Sequence, residues 1–309
     1  MEQIIDKVLS QINNVIFDKK EQVNVIFATW LMGGHILLED VPGTGKTVLA
    51  KTFAKVCNTG FGRVQFTPDL LPNDIIGTTI YDQESKKFFF RKGPLFTNFF
   101  LADEINRATP RTQAALLEAM AEKQITIENT TSKLADNFFV MATQNPLESH
   151  GTFPLPEAQL DRFTIRVSLG FLDKEIEAKM VKKHLIQDPF TQAKQVITEK
   201  EFYQIKSIVD KVTIDEKIIN YIVEISHQTR NHKFIKHGVS PRATIALTKL
   251  AQAFAIINNR NYVIPADIYT LAPYVLNHRL ILTEDAIFEE HTSFDIIEEI
   301  LKSIKPPKL

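Results

Sequence analysis

Hydrophobic positions change rhythm near residue 170. Before it, short β-type runs at 35–39, 63–67, 98–103, 138–143 and 163–168 alternate with helical stretches. Strands separated by helices predict an α/β fold whose largely parallel sheet is covered by helices. After it, apolar residues recur at helical spacing, as in Ile176, Met180, Val181 and Leu185, and again in Ile218, Ile219, Ile222 and Val223. That half reads as all-α. Asp173 is an expected N-cap, and Ser240-Pro241 offers an N-cap followed by proline at the first helical position. Gly170 marks the expected boundary between a core at 1–170 and a smaller helical domain at 171–309. Two segments interrupt the α/β rhythm. Runs at 78–82 and 87–91 flank Gln83-Glu84-Ser85 and predict an inserted hairpin spanning 78–92. A second strand-like pair, 124–128 and 134–140, surrounds the polar stretch 129–133 and runs into the fourth core strand. No internal repeat is visible, and the expected disorder is confined to the tail Lys305-Pro306-Pro307-Lys308.

Composition adds bounds. A chain of 309 residues with 44% hydrophobic and 24% charged positions fits two soluble globular domains. No apolar stretch approaches the roughly 18 residues a membrane span needs. The first residues lack the basic-then-apolar profile of a secretory signal. The single cysteine, Cys57, excludes an internal disulfide and a multi-thiolate metal site, so a reducing cytoplasm is the expected location. A net charge of −1 provides no global field for nucleic acid or anionic lipid. The Lys-rich pieces (Lys86, Lys87, Arg91, Lys92; Lys179, Lys182, Lys183) read as solvated faces, and the eight histidines are scattered without ligand spacing.

Chemistry concentrates at strand ends. The run from His35 to Thr47 reads as strand, loop and helix, with Pro42-Gly43-Thr44-Gly45-Lys46-Thr47-Val48 at the turn and into the helix. Glycines let backbone N–H groups turn inward and cradle phosphate oxygens, backed by the helix N-terminus. Lys46 is expected to reach the β- and γ-phosphates of ATP, and the Thr47 hydroxyl to ligate Mg²⁺. One departure stands out. Asp40 occupies the position where the loop pattern expects glycine, and a carboxylate there opposes phosphate unless it points away.

A second apolar run ends in two adjacent carboxylates, Asp103 and Glu104. Given the phosphate loop upstream, Asp103 is expected to hold Mg²⁺ through water and Glu104 to polarise the attacking water. The fourth strand ends at Asn145-Pro146. Asn145 suits a hydrogen bond to both γ-phosphate and water, and equally suits an ordinary turn before proline.

These motifs, in this order and spacing, resemble those of AAA+ ATPases, and in finer detail the MoxR family. The strings that carry the likeness are Leu-Leu-Glu-Asp-Val-Pro-Gly-Thr-Gly-Lys-Thr at 37–47, Arg-Val-Gln-Phe-Thr-Pro-Asp-Leu-Leu-Pro at 63–72 and Leu-Ala-Asp-Glu-Ile-Asn-Arg-Ala at 101–108. To them belong Ala-Thr-Gln-Asn-Pro at 142–146, Pro-Glu-Ala-Gln-Leu-Asp-Arg-Phe at 156–163 and Gly-Val-Ser-Pro-Arg-Ala at 238–243. The resemblance covers nearly the whole chain, and Asp40 occurs among MoxR-like proteins. It implies an AAA+ core with a helical lid, a homo-oligomeric ring that is expected to be a hexamer, and nucleotide held between subunits. It further implies Arg162 as an arginine finger and Arg242 as a second phosphate sensor. From the residues alone, Arg242 in the first turn of a helix fits that role, whereas Arg162 reads as an ion pair with its neighbour Asp161. Arg107 and Arg279 are interface or phosphate candidates. The hairpin resembles the helix-2 insert of the clade that also contains magnesium chelatase motors. Relatives commonly work on protein clients, beside a partner carrying a von Willebrand factor A domain; no such domain fits within these 309 residues.

Three readings of function follow. The first is an ATPase motor that remodels or assembles client proteins. A nucleic-acid motor is disfavoured by the charge balance and by the lack of an attached DNA-binding domain. A nucleotide-gated scaffold with little turnover is disfavoured by Glu104 and Asn145.

Overall fold

The computed structural model describes residues 2–127, 130–146 and 151–308. Two helices, α1 (Glu2–Asn13) and α2 (Lys20–Leu31), precede strand β1 (Ile36–Glu39) and helix α3 (Lys46–Val56). Strand β2 (Phe61–Gln65) and the short α4 (Pro72–Ile76) lead into a hairpin of β3 (Gly77–Asp82) and β4 (Lys87–Lys92). Then come β5 (Phe99–Asp103), a 3₁₀ turn (Ile105–Arg107) and α5 (Pro110–Glu122). A second hairpin, β6 (Gln124–Ile127) and β7 (Thr130–Lys133), is followed by β8 (Phe139–Gln144), α6 (Glu157–Leu160) and β9 (Ile165–Val167). The rest is mostly helical: α7 (Lys174–Ile186), α8 (Pro189–Gln192), α9 (Glu199–Val209) and α10 (Glu216–Asn231), then strand β10 (Ile235–His237), α11 (Pro241–Ile257) and α12 (Pro265–Leu276). Strand β11 (Ile281–Leu282), α13 (Glu284–Phe288) and α14 (Ser293–Ser303) complete the chain.

All five anticipated core strands form one sheet in the order β2-β5-β8-β1-β9, and every pairing in it is parallel. A parallel sheet covered on both faces calls for nearly continuous apolar strands, and β5 is buried along its whole length. Alternate residues feed opposite faces. Phe99 and Leu101 join one core with Ile36, Phe139 and Trp30, while Phe100 and Ala102 join another with Leu37, Val140 and Leu116. The first core is continuous with the helices of the second half. The Trp30 ring lies 5.2 Å from Phe99 and 4.7 Å from Phe202 of α9, centroid to centroid. Parallel pairing has one consequence for chemistry: every strand delivers its C-terminal residue to the same edge.

Three expectations need correction. The return strand of the second hairpin is β7, within the polar stretch read as a connection; residues 128 and 129 lie outside the described residues. Thr131 is exposed, and its hydroxyl meets that of Thr126 at 3.0 Å across the ladder. None of Thr131, Ser132 and Lys133 is buried, and polar, unburied positions carry no hydrophobic alternation, so pattern could not find the strand. The helical half also contains an antiparallel pair, β10 with β11. Finally, α7 forms where its apolar spacing predicts, yet buries none of its residues, and Leu185 is 81% exposed. Asp173 and Ser240 do occupy the N-cap positions of α7 and α11, though neither side chain makes a cap bond. Among the described residues no helix is long and apolar enough to cross a membrane.

Candidate active site

The loop between β1 and α3 has the backbone an anion site needs. Gly43 and Gly45 take φ of +87° and +88°, and a Cβ at either would meet nothing within 4 Å. Backbone conformation, not crowding, therefore requires glycine there. Gly45 caps α3 without a side-chain bond, which leaves first-turn N–H groups of that helix to an anionic ligand. Lys46 Nζ donates to the carbonyls of Asp40 at 2.5 Å and Val41 at 3.2 Å, which draws the ammonium over the loop. Asp40 itself is buried and turned away. Its carboxylate accepts from Ser168 Oγ at 2.9 Å and from the amides of Leu169 at 2.5 Å and Gly170 at 3.1 Å. The conflict expected between this carboxylate and phosphate is thereby removed, and the loop is tied to the segment leaving β9.

The acids arrive on the next strands of the same edge. Asp103 ends β5 and Asn145 follows β8, which lies between β5 and β1. Both are buried, at 7% and 5% exposure. Asp103 Oδ1 accepts from Thr143 Oγ1 at 2.7 Å, and Oδ2 accepts from Arg63 at 2.8 and 3.2 Å. Glu104 sits in the left-handed region with φ 56°, ψ 53°, which few non-glycine residues adopt and which recurs at functional sites. Its Oε2 accepts from Gln65 Nε2 at 2.5 Å and Arg107 Nη1 at 2.8 Å. Thr47 and Asp103 contribute hard oxygen donors of the kind Mg²⁺ takes alongside phosphate. Among the described residues no cluster of three His, Cys, Asp or Glu side chains makes a metal site by itself, so a cation here would lean on the nucleotide. The backbone cradle with Lys46 fits a polyphosphate.

Beside the loop lies a cavity of about 430 Å³, bounded by Gly43–Gly45, Val48, Ile16, Phe17, Phe171 and Met180. Its apolar walls and position suit a nucleotide base, with the phosphates running into the loop. Lys19 Nζ reaches the Phe171 carbonyl at 3.1 Å across it.

Arg162 and Arg242 are elsewhere. Arg162 is exposed, precedes β9, and donates to the Leu117 carbonyl of α5 at 2.6 Å. Because β9 runs parallel to β1, with Ile36 facing Ile165, Arg162 lies at the edge opposite the phosphate loop. Asp161 pairs not with Arg162 but with Arg279 at 2.6 Å and Arg242 at 3.7 Å, so Arg242 shares that opposite edge. The Arg242 side chain is 63% exposed. Arg279 is spent internally. It is 4% exposed, donating to Asp161, to the carbonyls of Thr164 at 3.0 Å and Phe163 at 2.7 Å, and to that of Val275. Burial lowers its pKa, and the Asp161 hydrogen bond opposes that shift. The interface or phosphate role expected for Arg279 gives way to a clamp between the end of α12 and the start of β9.

Arg63, Gln65 and Thr143 were missed as site residues. Each lies within a string already recognised as distinctive, which was the available signal. Their contacts span 39 or 40 positions and belong to the fold.

Residues 35–165 match the family model for the ATPase family associated with various cellular activities (AAA), and residues 227–300 match the AAA lid domain. The parallel sheet with its helices is thus an AAA ATPase core, followed by a lid. Among curated proteins, the chain is 45% identical over 98% of its length, and 95% of the relative's, to the uncharacterized protein YeaC of Bacillus subtilis. It is 37% identical to Chaperone MoxR1 of Mycobacterium tuberculosis, covering 99% of this chain and 83% of that one. A crystal structure from Cytophaga hutchinsonii, assigned as an ATPase, superposes with a TM-score of 0.92 at 42% identity, covering 99% and 96% of the two chains. The chain belongs to the MoxR family of AAA+ ATPases.

Proposed function

We propose that this chain is a Mg²⁺-dependent ATP hydrolase that acts as a head-to-tail ring, a hexamer on the family pattern, to remodel or assemble client proteins. The observation that carries the proposal is the division of the machinery between two edges of one sheet. The phosphate loop, Asp103, Glu104 and Asn145 share the C-terminal edge, whereas Arg162 and Arg242 share the N-terminal edge. The four residues of β1, rising about 3.3 Å each, separate those edges by roughly 13 Å. A chain holding ATP at one edge offers both guanidinium groups to the nucleotide of the next subunit. Such a contact is heterologous and closes as a ring.

Within the site, Lys46 and the loop amides bind the phosphates. Thr47 and, through water, Asp103 would hold Mg²⁺, which would supply positive charge to the phosphate oxygens. Glu104 accepts the proton of the attacking water, and Asn145 orients that water against the γ-phosphate. Arg162 and Arg242 of the neighbour grip the transferring phosphoryl group with planar, permanently charged forks. The division at Gly170 into a core (1–170) and a lid (171–309) belongs to this reading, as does a cytoplasmic setting. The name of the chaperone relative supports protein clients over nucleic acid, as does the net charge of −1. A companion carrying a von Willebrand factor A domain belongs to the same reading.

Complementation tests the shared site. Lys46→Ala should abolish ATP binding, and Glu104→Gln should retain binding but lose turnover. Arg162→Ala and Glu104→Gln should each be nearly inactive, since fingers of this kind contribute on the order of 10³–10⁵ in rate. Once size-exclusion shows that subunits exchange, mixing the last two should restore part of the activity. Arg162→Ala protein hydrolysing ATP at the wild-type rate would overturn the shared site.

A further inference from the structure

The Thr143 hydroxyl stands between the two acids of the site. It donates its only proton to Asp103 Oδ1 at 2.7 Å and accepts the backbone N–H of Glu104 at 2.9 Å. Thr143 is fully buried on β8, opposite Leu38 of β1, and two residues before Asn145. A hydroxyl has one proton to give. With that proton committed to a carboxylate, the oxygen's lone pairs face the Glu104 amide, and both bonds constrain the same atom.

The two bonds control different things. The one to Asp103 occupies Oδ1 while Arg63 occupies Oδ2, so the carboxylate is gripped from two strands and its rotation about the terminal bond is fixed. The one to Glu104 holds the amide of a residue whose φ is 56°. In that conformation the side chain leaves the backbone in a direction an extended residue at the strand end would not give it. Thr143 therefore sets the angle between the two carboxylates.

We propose that Thr143 is a positioning residue that aligns Asp103 for the metal and Glu104 for water, coupling metal binding to turnover. The inference rests on the hydrolytic reading above. Valine in its place keeps the shape and removes both hydrogen bonds, while serine keeps the hydroxyl and removes only the methyl group.

Two measurements test it, each after a thermal melt has established that the variant is folded. In steady state, Thr143→Val should lower kcat about tenfold or more, the scale of one or two lost hydrogen bonds. Half-saturating Mg²⁺ and the KM for ATP measured with Mg²⁺ should both rise several-fold, since the two ligands are linked, and Thr143→Ser should recover most of the loss. Calorimetry in a Glu104→Gln background, where nothing turns over, gives a second readout. ATP binding in EDTA should be unaltered by Thr143→Val, but its tightening by Mg²⁺ should shrink. If valine prevents folding, Thr143→Ala carries the same expectations. A valine variant with wild-type kcat and Mg²⁺ response overturns the role, as does a serine variant as impaired as valine. A wild type that neither hydrolyses ATP nor responds to Mg²⁺ would instead sink the hydrolytic reading beneath it.

Discussion

Gln65 Nε2 donates to Glu104 Oε2 at 2.5 Å, joining the end of an edge strand to the carboxylate expected to polarise water. Arg107 reaches the same oxygen at 2.8 Å. Both bonds fall on Oε2, so the plane of the carboxylate is held while Oε1 is left to take a proton. Gln65→Leu should release one of the two restraints. A lost bond to a charged group, attenuated by exposure, predicts a fall in kcat on the order of tenfold with KM nearly constant. Steady-state ATPase assays decide the matter, and an unchanged kcat would show that Arg107 alone suffices.

The hairpin of β3 and β4 carries exposed aromatic residues: Phe88 at 73%, Phe89 at 49% and Tyr81 at 49%. Tyr81 and Phe88 meet at 5.0 Å with their rings tilted by 57° near the tip, while Phe90 packs edge-on against Phe96 at the base. Only the base is integrated with the core. Replacing the distal part by a tight turn should leave basal ATPase within a few-fold and abolish stimulation by clients. It should also prevent client capture by an ATP-loaded Glu104→Gln protein. Collapse of basal hydrolysis in a folded protein would make the hairpin part of the motor.

Buried His35 predicts an acid-sensitive fold. Its Nδ1 accepts the Val140 N–H at 3.0 Å, so Nε2 carries the proton toward the Met120 carbonyl at 3.2 Å. Burial pushes its pKa down to about 4, against an ordinary 6.5, and Lys123 adds to that shift while the Met120 carbonyl opposes it. Between those two values the unfolded chain binds the proton and the folded chain does not. Stability is therefore full above about pH 6.5 and is lost as pH falls toward 4, by about 3 kcal/mol in all. His278, also shifted well down by burial, acts in the same direction. In urea titrations across this range, His35→Asn should be less stable at neutral pH and show a shallower decline. An identical pH slope in both proteins would remove His35 as a cause.

Chemistry that depends on neighbours in the chain was open to reading. Positive φ at Gly43 and Gly45, the start of α3 at Lys46 and the adjacency of Asp103 and Glu104 are local properties. Local backbone constraint restricts residue choice, so the string itself reports it. The five core strands were equally visible, because burial on both faces demands unbroken apolar runs. Where burial is absent the signal fails, as in polar β7, and helical spacing specified that α7 forms without specifying what covers it. The tertiary structure alone decided the longer connections. Asp40 turns from the phosphate loop to residues 168–170, Asp161 takes Arg279 and Arg242 in place of its neighbour Arg162, and Thr143 bridges the two acids. These partners lie 39 or more positions apart in the chain. A hydrogen bond needs only a donor and an acceptor within reach, and reach between distant positions is set by strand order and register. The edge that holds Arg162 was legible, since a residue at the start of a parallel strand lies opposite a loop at the end of its neighbour; that Arg242 joins it there was decided by its reach to Asp161.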